Sequence, residues 1–412
     1  MPARRELYAG VMSGTSLDGV DAVVAEFGAT PDAFVATLGS THIAFPTALR
    51  DELLVLQGVG TDELARAARA ANLLADLYAM AISDACEVAG VKPHDLVAAG
   101  VHGQTVRHRP EQGWTLQINN PARVAERAYV TVVADFRSRD IAAGGQGAPL
   151  VPAFHAALFG RGVAHRAVVN IGGIANITDL PPHGAVRGFD TGPGNILLDI
   201  WSARHHGMPF DVNGEWAAQG RVDQTLLSAL LAEPYFAAAP PKSTGRDLFN
   251  AGWIDSKLAR AHLSGPHEDV QATLAALTAR TIADAVREHA AGATELLVCG
   301  GGANNGTLLR MLATELAPRV VATTGERGVA VEHVEALAFA WLAREALAGR
   351  PGNLMAVTGA QGSRILGAIY PREDFGARGR DGRQAMVAAR DISPASACGS
   401  RGRRCRRPAS AM

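Results

Sequence analysis

An α/β fold made of two related halves is what the sequence predicts, and three observations carry that prediction. The chain opens on a short apolar segment, a turn rich in Gly, Ser and Thr between Gly10 and Gly19, and a second apolar segment; residues 166–180 repeat the design around Ile171-Gly172-Gly173-Ile174-Ala175-Asn176. Short β-branched runs are separated by Ala/Leu-rich stretches of helical period. A further glycine cluster, Gly300-Gly301-Gly302, follows one such run and precedes a helical one, a unit that lets a flat ligand such as a nucleotide approach the backbone. Two glycine hairpins suit a phosphate pinched between them.

In chain order, residues 7–9 and 20–27 read as strands joined by the turn of Gly14, Thr15, Ser16, Leu17, Asp18 and Gly19. Its amides and hydroxyls suit phosphate oxygens, and Asp18 or Asp21 suits Mg²⁺; the alternative is an irregular hairpin with Asx turns. Residues 61–89 predict a long helix, or two, with Thr61 as N-cap and Gly90 as C-cap. Residues 96–101 predict a buried strand that delivers His102-Gly103-Gln104-Thr105 to its carboxyl end, where open α/β sheets bind ligands, although a lone histidine also serves structure. Residues 128–134 predict another strand, ending in Asp135-Phe136-Arg137-Ser138-Arg139-Asp140 and a glycine loop to Pro149. That cluster is either an anion site or a salt-bridged hinge.

The stretch Arg187-Gly188-Phe189-Asp190-Thr191-Gly192-Pro193-Gly194-Asn195 reads as a glycine-rich turn ahead of a helix starting at Ile196. A carboxylate beside an anion cradle is unfavourable unless it binds metal or takes a proton during a reaction, which makes Asp190 a catalytic candidate; otherwise it caps its own turn. Residues 207–260 are mixed and loop-rich, and Lys242-Ser243-Thr244-Gly245-Arg246-Asp247 is either a substrate loop or plain surface. Helices are predicted over 269–290, 307–316 and 331–348, and strands over 295–299 and 319–323. Glu335, in the first turn of the last helix, is either a charge favoured by the dipole or a site residue. The patterns GxGxxG and GxxxxGKS or GxxxxGKT do not occur.

Composition narrows the class. Of 412 residues 48% are apolar, no apolar run reaches the length of a membrane span, and the N-terminus carries no signal-peptide core, so a cytoplasmic protein is expected. The four cysteines, Cys86, Cys299, Cys398 and Cys405, have neither CxxC nor Cys/His spacing, which excludes a zinc site by motif. Net charge is −1, but residues 372–412 hold ten Arg against four acids, leaving −7 on the rest. That tail lacks apolar periodicity and interleaved aromatics, so a disordered, solvated extension is expected rather than a nucleic-acid element. Deleting residues 372–412 is expected to change neither melting temperature nor rate, as thermal unfolding and steady-state kinetics would check.

Together these segments closely resemble the anhydro-N-acetylmuramic acid kinases of bacterial cell-wall recycling. The matching pieces are residues 11–21, 102–105, 135–140, 143–152, 170–176, 188–195, 242–246, 299–302 and Glu335 to Ala340, so the resemblance covers about residues 7–371. It implies a two-domain fold of the actin, hexokinase and Hsp70 (ribonuclease H-like) type, with ATP between domain I (1–134 plus about 356–371) and domain II (135–355). It implies ATP- and Mg²⁺-dependent phosphorylation of the sugar 6-oxygen coupled to hydrolytic opening of the 1,6-anhydro bridge, giving N-acetylmuramate 6-phosphate and ADP, in a homodimer.

By position, Asp190 is then the base activating water, Glu335 and Arg139 contact the sugar, and the catalytic set is Asp190, Glu335 and Arg139. ATP falls to Gly14 through Asp21 (with Val20), Asn170, Gly172, Gly173, Gly192, Gly194, Asn195 and Gly300 to Gly302; the sugar falls to His102, Gln104 and Thr105; Asp18 and Asp21 hold Mg²⁺. Two departures stand out. Asn119 of Gln117-Ile118-Asn119 replaces the usual glycine, and the tail from Arg372 has no counterpart. The alternatives are an ordinary hexosamine kinase and a non-catalytic nucleotide-binding relative.

Overall fold

Twelve strands build two mixed sheets among the residues described by the structure, a computed structural model covering 5–14, 16–28, 30, 34–160, 162, 164–261 and 265–372. Thr15 and the tail 373–412 lie outside the described residues. The strands are β1 Glu6–Ser13, β2 Gly19–Phe27, β3 Phe34–Ala44, β4 Ala98–Arg109, β5 Trp114–Ile118, β6 Val132–Ala134, β7 Arg166–Ile171, β8 Ile174–Leu180, β9 Arg187–Pro193, β10 Glu295–Cys299, β11 Val320–Thr323 and β12 Ala368–Tyr370.

The first sheet runs β12-β6-β4-β1-β2-β3 with β5 on β4, and the second runs β11-β10-β7-β8-β9. In the first, β1, β2 and β3 are antiparallel neighbours while β1, β4 and β6 are parallel. In the second, β7, β8 and β9 are antiparallel while β7, β10 and β11 are parallel. The two halves therefore share one strand order and one set of directions, which is the duplication that the paired glycine hairpins predict.

Alternation along each strand divides the side chains between layers. Ala9 and Val11 join the core beneath helix Glu63–Ala89, whereas Tyr8 points to the opposite face. That opposite face is shared. Tyr8, Ala98 and Val133 of the first sheet and Val168, Leu297 and Cys299 of the second enclose helices Val151–Phe159 and Val334–Leu347 in one core. The outer face of the second sheet, with Val169, Ile177, Phe189 and Val298, packs under helices His267–His289 and Gly306–Leu316.

Two glycines set how closely helix Val334–Leu347 lies on the first sheet. A Cβ at Gly10 would collide with the backbone of Ala336, and one at Gly100 with the carbonyl of Phe339. This contact fixes the height of Glu335 in the helix's first turn.

Several elements differ from expectation. Residues 187–193 form strand β9 rather than a turn, because their glycines answer crowding: a Cβ at Gly188 would press on Pro152, and Gly192 combines φ +149° with a close Phe236 ring. Strand β4 does not stop at Val101 but runs through His102, Gln104 and Thr105, absorbing Gly103 (φ +81°) in a register shift against β1. Ala128 ends a short helix, Pro121–Ala128, before β6 begins. The long helix starts at Glu63, not after a Thr61 cap, while Gly90 ends it in left-handed geometry (φ +68°) as expected.

Candidate functional site

The glycine turns converge. A cleft of about 540 Å³ is lined by Gly14, Ser16 and Asp18 from the β1–β2 turn, Asp21 from the start of β2, Gly172 and Gly173 from the β7–β8 turn, and Gly300 and Gly301 beyond β10. Each turn is locally fixed. Asp18 Oδ1 accepts from Ser16 Oγ (2.8 Å) and Gly19 N (2.9 Å), and buried Leu17, at φ +59°, anchors the same turn in the core. Asn195 ties the second turn by N–H to Gly172 O (2.8 Å) and Nδ2 to Ile171 O (3.3 Å). Gly300 adopts φ +77°, where a Cβ would strike the Asn170 side chain. Val20 lies in the core, and Gly19, Gly192, Gly194 and Gly302 are close-packing positions that do not line the cleft: Gly194 rests on Gly172 O and Gly302 on Ile171.

Asn170 and Glu335 line the same cleft, and Asn170 Nδ2 donates to Glu335 Oε1 (3.2 Å). Burial raises the Glu335 pKa above the usual carboxylate range; Arg137 opposes the shift, while Asp21 and Asp18 add to it. Asp21 is likewise raised by burial, against a hydrogen bond from His42 Nδ1 (2.8 Å).

Asp190 does not line this cleft, but register puts it on the same face of the second sheet. Asn170 pairs with Asn176, and Asn176 with Asp190, so the two ends of that row lie two strand spacings, about 10 Å, apart. Phe189 and Ile177 point to the outer core, and Gly188 and Thr178 face Pro152 and His155 of helix Val151–Phe159. Asp190 therefore projects inward with that helix. A separate cavity of about 450 Å³ lies behind β9 against Phe189 and Thr191. Burial lifts the Asp190 pKa from 3.8 to about 6, partly offset by the Thr244 N–H bonded to Oδ2 (3.0 Å). No donor among the described residues reaches Oδ1.

His102, Gln104 and Thr105 stand beside this face rather than in the 540 Å³ cleft. His102 packs tilted on Phe339, with centroids 4.7 Å apart, and its Nε2 accepts from Arg137 Nε (3.0 Å), which assigns the ring proton to Nδ1. Burial, then the Arg137 charge, holds its pKa well below the ordinary value, so it is neutral. Gln104 Nε2 donates to Gly14 O (3.1 Å), and Thr105 Oγ1 accepts from Gln117 Nε2 (3.2 Å). His102 Nδ1, Gln104 Oε1 and both amide atoms of Asn119 are buried without a partner among the described residues. Four such atoms in adjoining segments are more than packed protein usually leaves unpaired.

Arg139 is exposed and away from the cleft. Arg137 does not line the cleft either, but its charge acts on Glu335; its Nη1 also donates to Gly147 O (2.7 Å), and burial lowers its pKa only to about 10, leaving it charged. Both arginines occupy the same motif, and only burial tells them apart. Asp199, which sequence reasoning did not single out, and Arg246, from the polar segment left open between substrate loop and plain surface, line the cleft; burial raises Asp199 to about 7 against the Arg246 charge. An acid in a helix first turn was the available signal for Asp199, and it is shared with ordinary dipole-stabilised helices.

For a divalent cation, Asp18 and Asp21 share the phosphate-turn end of the cleft, and each raises the pKa of Glu335 by repulsion. No cluster of three or more His, Cys, Asp or Glu side chains capable of holding a metal is present among the described residues. One or two carboxylates with the rest of the shell from phosphate and water is the usual Mg²⁺ arrangement, so the donors present fit that ion.

Comparison with known proteins agrees with the matched motifs. The family model "Anhydro-N-acetylmuramic acid kinase" matches residues 6–372. Proteins of that name from Cupriavidus pinatubonensis and Burkholderia thailandensis are 56% and 55% identical, covering 90% and 89% of this chain and 100% and 98% of their own. Among solved structures, component A of the (R)-2-hydroxyglutaryl-CoA dehydratase of Acidaminococcus fermentans is 14% identical with a TM-score of 0.43, covering 82% of this chain and 96% of its own. A ROK family glucokinase of Streptomyces griseus, in complex with glucose and AMPPNP, is 15% identical with a TM-score of 0.39, covering 82% and 99%. On the family match and these sequence identities, the chain belongs to the anhydro-N-acetylmuramic acid kinase family.

Proposed function

We propose that this protein phosphorylates 1,6-anhydro-N-acetylmuramic acid with ATP while water opens the anhydro ring, giving N-acetylmuramate 6-phosphate and ADP in peptidoglycan recycling. The observation that carries the reading is the convergence of three glycine turns and Glu335 on one cleft, with Asp190 on the adjoining inner face. Asp190 takes a proton from water as that water attacks the anomeric carbon, and Oδ1 is the oxygen left for it. The bridge oxygen leaves C1 and bonds to the γ-phosphorus as ADP departs, so no second carboxylic acid has to protonate a leaving group.

Amides of the turns at Gly14, Gly172 and Gly300 neutralise phosphate charge, which is the greater part of what phosphoryl transfer asks of a protein. Mg²⁺, when bound at Asp18 and Asp21, would screen the triphosphate. Glu335 and Arg137 address the sugar beside His102, Gln104 and Asn119, whose unpaired polar atoms match hydroxyl and acetamido groups. Residues 1–134 with 356–371 and residues 135–355 act as two lobes closing on the substrates, in a cytoplasmic homodimer.

Incubating the protein with ATP, Mg²⁺ and the anhydro sugar and identifying products by mass spectrometry tests this reading. The 6-phosphate with an opened ring is expected; phosphorylated sugar with the bridge intact, or no sugar product, would overturn it. Glu335→Ala is expected to lower kcat/KM for the sugar about 10–100-fold, the range for a lost charged hydrogen bond, in a coupled ADP-release assay.

A further inference from the structure

Asp190 is held by a strap that comes from outside its own sheet. The strap is the short helix Pro234–Ala237 and the segment after it, ending at Thr244. Its contacts take the main chain first. Asp190 N–H donates to Lys242 O (3.2 Å), and Tyr235 Oη–H donates to Asp190 O (2.7 Å). Thr244 N–H then takes Oδ2 (3.0 Å). Three bonds thus fix the Asp190 peptide and one carboxylate oxygen, leaving the other oxygen directed by the geometry they impose.

The strap is in turn closed on itself by Lys242. Its Nζ donates to Tyr235 O (3.2 Å) and Phe236 O (3.1 Å), the carbonyls of the short helix, and lies 4.9 Å from the Tyr235 ring centroid. Tyr235 O also accepts from the capping Ala238 N–H (3.2 Å), and a cation on the last carbonyls of so short a helix is favourably placed. A cavity of about 450 Å³ bounded by Phe236, Lys242 and Phe189 lies beside the strap, whose Tyr235 and Phe236 rings pack on buried Phe249 with centroids 5.9 and 5.7 Å away. The hydrogen bonds to Asp190, together with the Phe236 ring against Gly192, hold this segment on β9.

We propose that Tyr235 and Lys242 are positioning residues for Asp190, aiming its free carboxylate oxygen by clamping the strap to β9. The inference rests on the reading of Asp190 as the base that activates water. Neither side chain touches the reacting atoms; each acts through the Asp190 peptide and the Thr244 N–H.

The test uses the full-length chain with Tyr235→Phe and Lys242→Met, measuring kcat, both KM values and the pH dependence of kcat/KM by ADP release. Tyr235→Phe keeps the ring and removes only the donor, so it decides the question if Lys242→Met fails to fold. Each variant is expected to lose about tenfold in kcat, the cost of one misaligned group, with KM for ATP unchanged. The acidic limb moves to higher pH, because the N–H that favours the ionised carboxylate is no longer held against it. Full kcat, or a loss that leaves the acidic limb in place or raises KM for ATP in parallel, overturns the inference. Asp190→Asn run alongside separates the two ideas: if it keeps its rate the base reading falls, and if it is inactive while Tyr235→Phe is normal only the positioning role falls.

Discussion

Asp190→Asn is expected to lower kcat on the order of 10³-fold, the middle of the range for loss of general base catalysis, while ATP binding measured by calorimetry stays within about twofold. The substitution keeps the shape of the side chain and an oxygen for the Thr244 N–H, so β9 and its strap remain in place. The pH dependence of the unaltered enzyme follows from the same residue. Its carboxyl is raised to about 6 by burial, and the base must be ionised, so kcat/KM should fall as pH drops through about 6.

The sign for stability is opposite to that of a salt-bridged acid. With a folded pKa above the ordinary 3.8, the folded state binds this proton more tightly than the unfolded state. Asp190 therefore costs stability as pH rises from about 4 to about 6 and continues to cost it above. Asp190→Asn removes a buried charge, so at pH 8 it should melt no lower than the parent. A variant that is inactive because it is unfolded would contradict this, and differential scanning calorimetry tells the two apart.

Asp140→Ala is expected to give the largest loss of stability. Asp140 is fully buried, and its carboxylate accepts from Gly147 N (2.8 Å), Asn353 Nδ2 (2.7 Å) and Thr358 Oγ1 (2.8 Å). These bonds join the glycine loop to the segment around helix Met355–Thr358. Truncation strands three donors at once, a cost of about 3–5 kcal/mol. For a chain of this size that lowers Tm by roughly 4–6 °C. A change below about 1 kcal/mol would mean that water or a neighbour replaces the carboxylate. The motif that the sequence left open between anion site and hinge is thus split by the fold: Asp140 braces the loop, and the charge of Arg137 acts on Glu335.

What could be read from residues alone was mostly local chemistry. The glycine hairpins at Gly14 and Gly172 declared a duplicated α/β architecture because their composition and spacing repeat, and the two sheets have one strand order in common. Asp190 was identified, but as part of a turn. Glycine has two uses, positive φ and close approach, and at Gly188 and Gly194 it is the second that applies, which no one-dimensional pattern reveals. The continuation of β4 through His102 was hidden for a related reason, since Gly103 bends the strand without ending it. Arg137 over Arg139, and the arrival of Asp199 and Arg246 at the cleft, depend on contacts distant in sequence.

The coupling of phosphoryl transfer to attack by water at the anomeric carbon is the core of the account, and an isotope measurement reaches it directly. The reaction is run in oxygen-18 water with ATP and the anhydro sugar, and the product is analysed promptly, against a control for exchange of the reducing end. One labelled oxygen per sugar at C1, an unlabelled phosphate ester at C6 and one ADP per ring opened are expected. Label in the phosphate ester, or phosphorylated product formed without label at C1, would contradict it.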